Sequence, residues 1–102
     1  MTAFSFKNKN YQVNQEGFLI DPDQWDEDFA ISMAKKLGME QGLAELHWKI
    51  IRFIRMIYRA RLRPPNAAET CNGVGVTVQT KKHLFPTGYF RGACLQAGMY
   101  YW

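Results

Sequence analysis

Cys71 and Cys94 are the two thiols among the 102 residues. In a reducing compartment two such cysteines stand free rather than paired. Without neighbouring histidines they make a poor metal site, so neither a metal nor another cofactor is expected. Cys94 is open to thiol chemistry. Arg91 lies three residues before it, and on an exposed helix that cation would lower the thiol pKa modestly. Cys94 reads equally as a small buried hydrophobe. His47 and His83 have no serine or cysteine partner in motif context, and His47 beside Trp48 fits a satisfied core or interface histidine. The acids from Asp21 to Asp28 fit the charges of a helix start better than a catalytic pair. No catalytic residue is assigned, and a binding module is the expectation ahead of a free-standing enzyme.

Charge supplies the second chemical signal. Through Glu45 the chain carries eight acids against four bases, and beyond it nine bases against the single acid Glu69. Such asymmetry suits an acidic or nucleic-acid partner for the second half, or two halves that attract one another. Lys49, Arg52, Arg55, Arg59 and Arg63 follow at steps of three or four, which on a helix makes a basic stripe. The stripe reads as a solvated face or as a docking surface for an acidic protein. DNA is the alternative partner, because a long helix, a proline break and a short helix after Asn66 faintly resemble a helix-turn-helix. That short helix, Ala67 to Gly73, offers no Arg or Lys for base edges or phosphates.

The elements that must position these groups are mostly helical. Tyr11, Val13, Phe18 and Ile20 flank the turn Asn14 to Gly17, a pattern for a small hairpin. Asp21-Pro22 is a helix start, with Trp25, Phe29, Met33 and Leu37 recurring every four residues and Gly38 as the stop. From Leu43 to Arg63 the apolar residues Leu43, Leu46, Ile50, Phe53, Ile54 and Ile57 predict the central helix. Phe53→Ala costs roughly 3–5 kcal/mol if its ring is fully buried. Pro64 and Pro65 end that helix and Asn66 caps a short following one. Gly73 to Val78 reads as an extended or loop segment. Tyr89 to Ala97 predicts a short helix closed by Gly98, and the aromatic terminus Tyr100 to Trp102 argues for docking onto the domain or a partner. At this length one domain, residues 1–102, is expected. No apolar run approaches a membrane span and Met1 to Asn10 lacks a signal-peptide core, so the cytoplasm is the expected compartment.

Three blocks together resemble the DsrC/TusE family of sulfur-relay proteins, also described as the gamma subunit associated with dissimilatory sulfite reductase. The first is Glu16-Gly17-Phe18-Leu19-Ile20-Asp21-Pro22 followed by Trp25, Asp26, Glu27, Phe29 and Ala30. The second is Glu45, His47, Trp48, Ile51, Arg52, Phe53, Ile54 and Arg55; the third is Leu84-Phe85-Pro86, Gly88, Gly92-Ala93-Cys94 and Ala97-Gly98. The resemblance implies a mainly α fold: a small orthogonal helical bundle with an N-terminal β-hairpin and a C-terminal arm that carries the chemistry. It implies a sulfurtransferase or sulfite-reductase-type protein partner, with Cys94 as the sulfur-binding candidate, holding a persulfide or mixed disulfide, and Arg91 in support.

The sequence also departs from that pattern. Family members usually continue into an arm with a penultimate cysteine, whereas this sequence ends at Trp102, and Cys94 matches the other, upstream cysteine. The family's helix between the Pro-Asn step and Leu-Phe-Pro is expected to be replaced by the stretch from Cys71 to Lys82, and Cys71 has no counterpart. Cys94 is accordingly expected to form no bridge with Cys71.

Overall fold

The computed structural model describes residues 2–6, 9–39 and 42–99. Strand β1 (Thr2–Phe6) pairs antiparallel with β2 (Lys9–Val13), from Thr2 opposite Val13 to Phe6 opposite Lys9. The hairpin therefore lies earlier than the sequence pattern placed it. The polar turn after Val13 does form. Asn14 Oδ1 accepts from the N–H groups of Glu16 and Phe18, at 2.9 and 3.0 Å, and Gly17 takes φ +95°. Across that turn only a single bridge, Val13 to Leu19, is made.

Asp21 caps a 3-10 turn, Pro22–Gln24, and the first α-helix starts later: α1 spans Glu27–Lys36. Its cap is Asp26, whose Oδ1 accepts from Phe29 N at 2.9 Å and from the Tyr11 hydroxyl at 2.6 Å, while Lys9 Nζ reaches Oδ2 at 2.9 Å. Burial alone would raise the Asp26 carboxyl, but the Tyr11, Lys9 and Phe29 donors together hold it below the ordinary value. The Tyr11 hydroxyl is pushed up to about 12, by burial first and then by the adjacent carboxylate. A folded-state carboxyl pKa below the unfolded one stabilises above about pH 4, and that stability is lost as pH falls through the lower value. Asp26→Ala removes the cap and the acceptor of the Tyr11 hydroxyl bond, so urea titration at pH 7 should show a loss of roughly 2–3 kcal/mol. The difference from wild type should shrink in acid; a constant difference down to pH 2 would show that the carboxylate charge contributes nothing.

Helix α2 spans Glu45–Arg61 and turns off at Leu62, which adopts the left-handed conformation at φ +61° just before Pro64 and Pro65. Its buried stripe is His47, Ile50, Ile51 and Ile54, with Tyr58 partly covered. Leu46 is exposed and the Phe53 ring only half buried, so truncating Phe53 costs less than the range for a fully buried ring. The apolar pattern includes Ile50 and Ile54 of this stripe and leaves out Ile51 and His47. That ring is accepted inside because both nitrogens are satisfied: Nδ1 accepts from Ala44 N at 2.9 Å and Nε2 donates to the Leu84 carbonyl at 2.8 Å. These partners assign the neutral tautomer with its proton on Nε2.

The stretch read as extended or loop is helical. Helix α3 (Ala67–Val74) is capped reciprocally by Asn66 and Glu69, ends at Gly75 with φ +85°, and α4 (Val78–Leu84) begins under a Thr77 cap. Gly73 lies within α3 because α2 approaches closely there: a Cβ would stand 2.2 Å from Phe53 Cζ. Two helices thus occupy the stretch expected to replace the family's helix. Tertiary packing has overridden the low helix propensity of glycine and valine.

After Phe85 the chain enters a π-helical segment, α5 (Tyr89–Cys94), which continues helically through Gln96. Gly92 permits it, since a Cβ would meet Thr87 Oγ1 at 3.0 Å and Phe85 Cβ at 3.1 Å. Residues 92–99 are all buried. Cys94 and Leu95 join Tyr11, Phe18, Phe29 and Met33 in one apolar cluster; Ala93, Ala97 and Met99 join Ile50, Ile51, Ile54 and Phe85 in another. The C-terminal segment is thereby the slab between the hairpin–α1 layer and α2. Tyr100 to Trp102, where terminal docking was expected, lie outside the described residues.

Candidate functional site

Cys94 ends α5, and π-helical turns recur at functional sites because they change the direction of the side chains they carry. Its exposure is 0%. Burial pushes the Cys94 thiol up to about 12, against the opposing pull of the Tyr89 hydroxyl and the Lys81 ammonium. The expected lowering of this pKa is therefore overturned: the segment is helical, as that expectation required, but it is not exposed. Arg91 points away from the thiol, Nη2 lying 3.2 Å from Glu16 Oε2 at the surface. The polar groups that act on Cys94 are ones the sequence did not single out. Tyr89 donates to the Pro65 carbonyl and meets Thr70 Oγ1 at 2.9 Å, and the buried Lys81 places Nζ 5.4 Å from the Tyr89 ring centroid. Lys81 is a charge in a polar-looking helix, and nothing in its spacing signals burial.

At neutral pH a thiol raised this far stays protonated, and the thiolate is the nucleophilic form. In this conformation the Cys94 thiol is enclosed and protonated. Cys71, on α3, is likewise buried, and both thiols are free.

The basic stripe is not one surface. Arg55 leaves it for the interior: Nη1 donates to the Ala97 carbonyl at 2.8 Å and Nη2 to the Pro22 carbonyl at 3.1 Å, with the guanidinium 4.4 Å from the Trp25 ring centroid. Burial, and then Arg59 nearby, pull its pKa down from the ordinary arginine value. Arg52 stacks on Trp48 and makes a long, exposed pair with Glu27 at 3.4 Å. Lys49, Arg59 and Arg63 are exposed. Trp25, Arg52, Arg55, Met56 and Arg59 line a groove of about 500 Å³ along α2, open to solvent. Helix α3, the alternative DNA-reading element, turns its one acid, Glu69, onto Arg61 at 2.8 Å.

Among the described residues no three His, Cys, Asp or Glu side chains gather into a metal site, and no helix is long and apolar enough to cross a membrane.

Fold and site define a small helical protein that holds a cysteine inside, on a buried C-terminal segment packed between two apolar layers. The family model described as "DsrC like protein" matches residues 5–101, and the chain belongs to that family. It is 27% identical over 99 residues to the dissimilatory-type sulfite reductase subunit gamma of Nitratidesulfovibrio vulgaris, a match covering 97% of this chain and 93% of that one. With the sulfurtransferase TusE of Salmonella typhimurium the identity is 36% over 53 residues, 52% of this chain and 47% of the relative. Among solved structures, the oxidized gamma-subunit of the dissimilatory sulfite reductase (DsrC) from Archaeoglobus fulgidus superposes with a TM-score of 0.87 at 28% identity, covering 98% of this chain and 96% of that one. A chain in the crystal structure of dissimilatory sulfite reductase I gives 0.88 at 28% identity, over 98% and 95%.

Proposed function

We propose that this protein is a sulfur-relay or sulfite-reductase-associated protein of the cytoplasm, which docks on a protein partner and carries sulfur on Cys94. The observation that supports it most is the extent of the likeness: nearly the whole chain, with the Cys94 segment in its core, matches a sulfite reductase gamma subunit at a TM-score of 0.87. The partner is of the sulfite-reductase or sulfurtransferase kind, the classes named among the relatives. In the transfer step the Cys94 thiolate attacks the outer sulfur of a donor persulfide. The donor's S–S bond breaks, the donor leaves as a thiolate, and a Cys94 persulfide forms with no net oxidation. The proton on Cys94 must leave first, which its buried state opposes.

Incubation with polysulfide followed by intact-mass analysis tests the carrier role. Wild type and Cys71→Ser should gain a sulfur atom and Cys94→Ser should not. An adduct confined to Cys71, or no adduct at all, ends the carrier role and leaves docking alone.

Docking falls to Lys49, Arg52, Arg59 and Arg63, the exposed members of the stripe, with Arg55 held back by its carbonyl bonds. Peripheral charges mostly govern association rate and its salt dependence. Replacing Arg52 and Arg59 by Glu together should slow association with a sulfite-reductase or sulfurtransferase partner by about tenfold or more at low salt, with the thermal midpoint nearly unchanged. Salt should narrow the difference. Sequence-selective binding of a short duplex at physiological salt would instead make nucleic acid the partner.

A further inference from the structure

The last carbonyls of a helix have no intrahelical donor, and here the body of the protein supplies donors for two of them. Trp25 Nε1 donates to the Gln96 carbonyl at 2.8 Å and Arg55 Nη1 to the Ala97 carbonyl at 2.8 Å. The second Arg55 nitrogen ties the same guanidinium to Pro22, three residues before Trp25, so the two donors are fixed to each other as well as to the helix end. The guanidinium also stacks on the Trp25 ring. Gly98 then presses on the ring closely enough that a Cβ would stand 2.8 Å from Trp25 Cδ1. Met99 N closes back on the Cys94 carbonyl at 3.0 Å, and the Met99 side chain is buried. All these contacts fall on residues 96–99, which directly follow the turn bearing the enclosed thiol.

The chemistry of the fastening matters too. Among the described residues Arg55 makes no ion pair; its bonds go to neutral carbonyls. An arginine of this kind can exchange its acceptors without stranding a buried carboxylate, whereas a buried ion pair is costly to break on one side. The neighbouring Asp26 cap differs, being locked by Lys9, Tyr11 and Phe29 N together.

We propose that Trp25 and Arg55 are positioning residues for Cys94: they latch the end of the C-terminal segment to the body, which keeps the preceding turn seated against Phe29 and Met33, and release of that latch is the local opening that exposes the thiol. This rests on the reading of Cys94 as the sulfur-bearing group, yet its test is independent of sulfur. Closed, the latch keeps the thiol protonated and out of reach; open, Cys94 regains the acidity of an exposed cysteine while the α2–α3 packing stays in place.

The two cysteines make the test internal to one molecule. Cys71, buried in α3 and in neither of the apolar clusters that hold residues 93–99, reports opening of the body; Cys94 reports opening of the helix end. Both are alkylated with iodoacetamide under native conditions and their rates separated by peptide mass spectrometry, for wild type, Trp25→Phe, Arg55→Met and Arg55→Lys. Reagent uptake at a buried site scales with the population of its opening. The ratio of the Cys94 rate to the Cys71 rate should rise on the order of tenfold in Trp25→Phe and Arg55→Met, each of which removes a donor from the helix end. Arg55→Lys keeps the charge but loses the planar fork that reaches two carbonyls, and should give a smaller rise. Glu45→Gln, exposed at the start of α2 and outside the latch, should leave the ratio at the wild-type value. A constant ratio overturns the proposal, and so does a parallel rise at both cysteines, which would mean that these residues merely stabilise the whole fold. Should Arg55→Met fail to fold, the ratio in Trp25→Phe and Arg55→Lys decides. Sulfur uptake on Cys94 with an unchanged ratio rejects the latch alone; a raised ratio without any sulfur uptake rejects the relay reading and keeps the latch.

Discussion

Phe29→Ala should cost about 3–5 kcal/mol, the range for removing a fully enclosed aromatic ring. Phe29 has 0% exposure and sits on the inner face of α1, where it meets the Tyr11 ring edge-on at 5.2 Å between centroids and 67° between planes. Such a pair adds about 0.5–1.5 kcal/mol to the burial of area alone. The cavity would open beneath the Asp26 cap and beside Cys94 and Leu95, so both ends of the hairpin–α1 layer lose support. A domain of this size has roughly 5–15 kcal/mol in all, so the variant should lie near its unfolding threshold at 37 °C. Urea denaturation at 25 °C reads the loss as a fall in midpoint at constant slope. A loss under 1 kcal/mol would mean that α1 does not pack on β2 through this ring.

The second large effect is expected at Gly98, where two penalties coincide. Its φ is +73°, a region that costs an L-residue roughly 1–2 kcal/mol. Its missing Cβ would also stand 2.8 Å from both Leu19 Cδ1 and Trp25 Cδ1. Leu19 can give by turning its methyl group, but the Trp25 ring is held by its bond to Gln96 and by Arg55, so overpacking of about 1–3 kcal/mol adds to the strain. Gly98→Ala should therefore destabilise by roughly 2–5 kcal/mol. Gly38 isolates the two causes, because it has φ +83° and nothing within 4 Å of the Cβ position. Gly38→Ala should show the backbone penalty alone. Equal losses at both sites, measured by the same urea titration, would show that Gly98 is free to move off Trp25.

What the sequence determined by itself is local. The stop of α2 at Pro64–Pro65 follows from a missing donor and a fixed φ, the Asn66–Glu69 cap from two side chains three residues apart, and the turn at Asn14 to Gly17 from one carboxamide and one glycine. Each is set by atoms a few residues away, so each was legible. The family blocks were legible for a related reason: they concentrate residues such as Trp25, His47, Arg55 and Gly98, whose roles need a particular side chain or none.

Only the tertiary structure decided what those residues do. Arg55 belongs to the basic stripe by spacing, yet its acceptors are the carbonyls of Ala97 and Pro22, 42 and 33 residues away in sequence. Gly73 reads as a loop residue until Phe53 of another helix is seen to fill the space a side chain would need. The state of Cys94 is the sharpest case. A cysteine three residues after an arginine is activated if water reaches it and silenced if two apolar layers close over it, and that difference is made by Phe29, Met33 and Leu95 around it, not by Arg91. Desolvation depends on everything that packs within a few ångströms, whatever its place in the chain, and no local pattern encodes it.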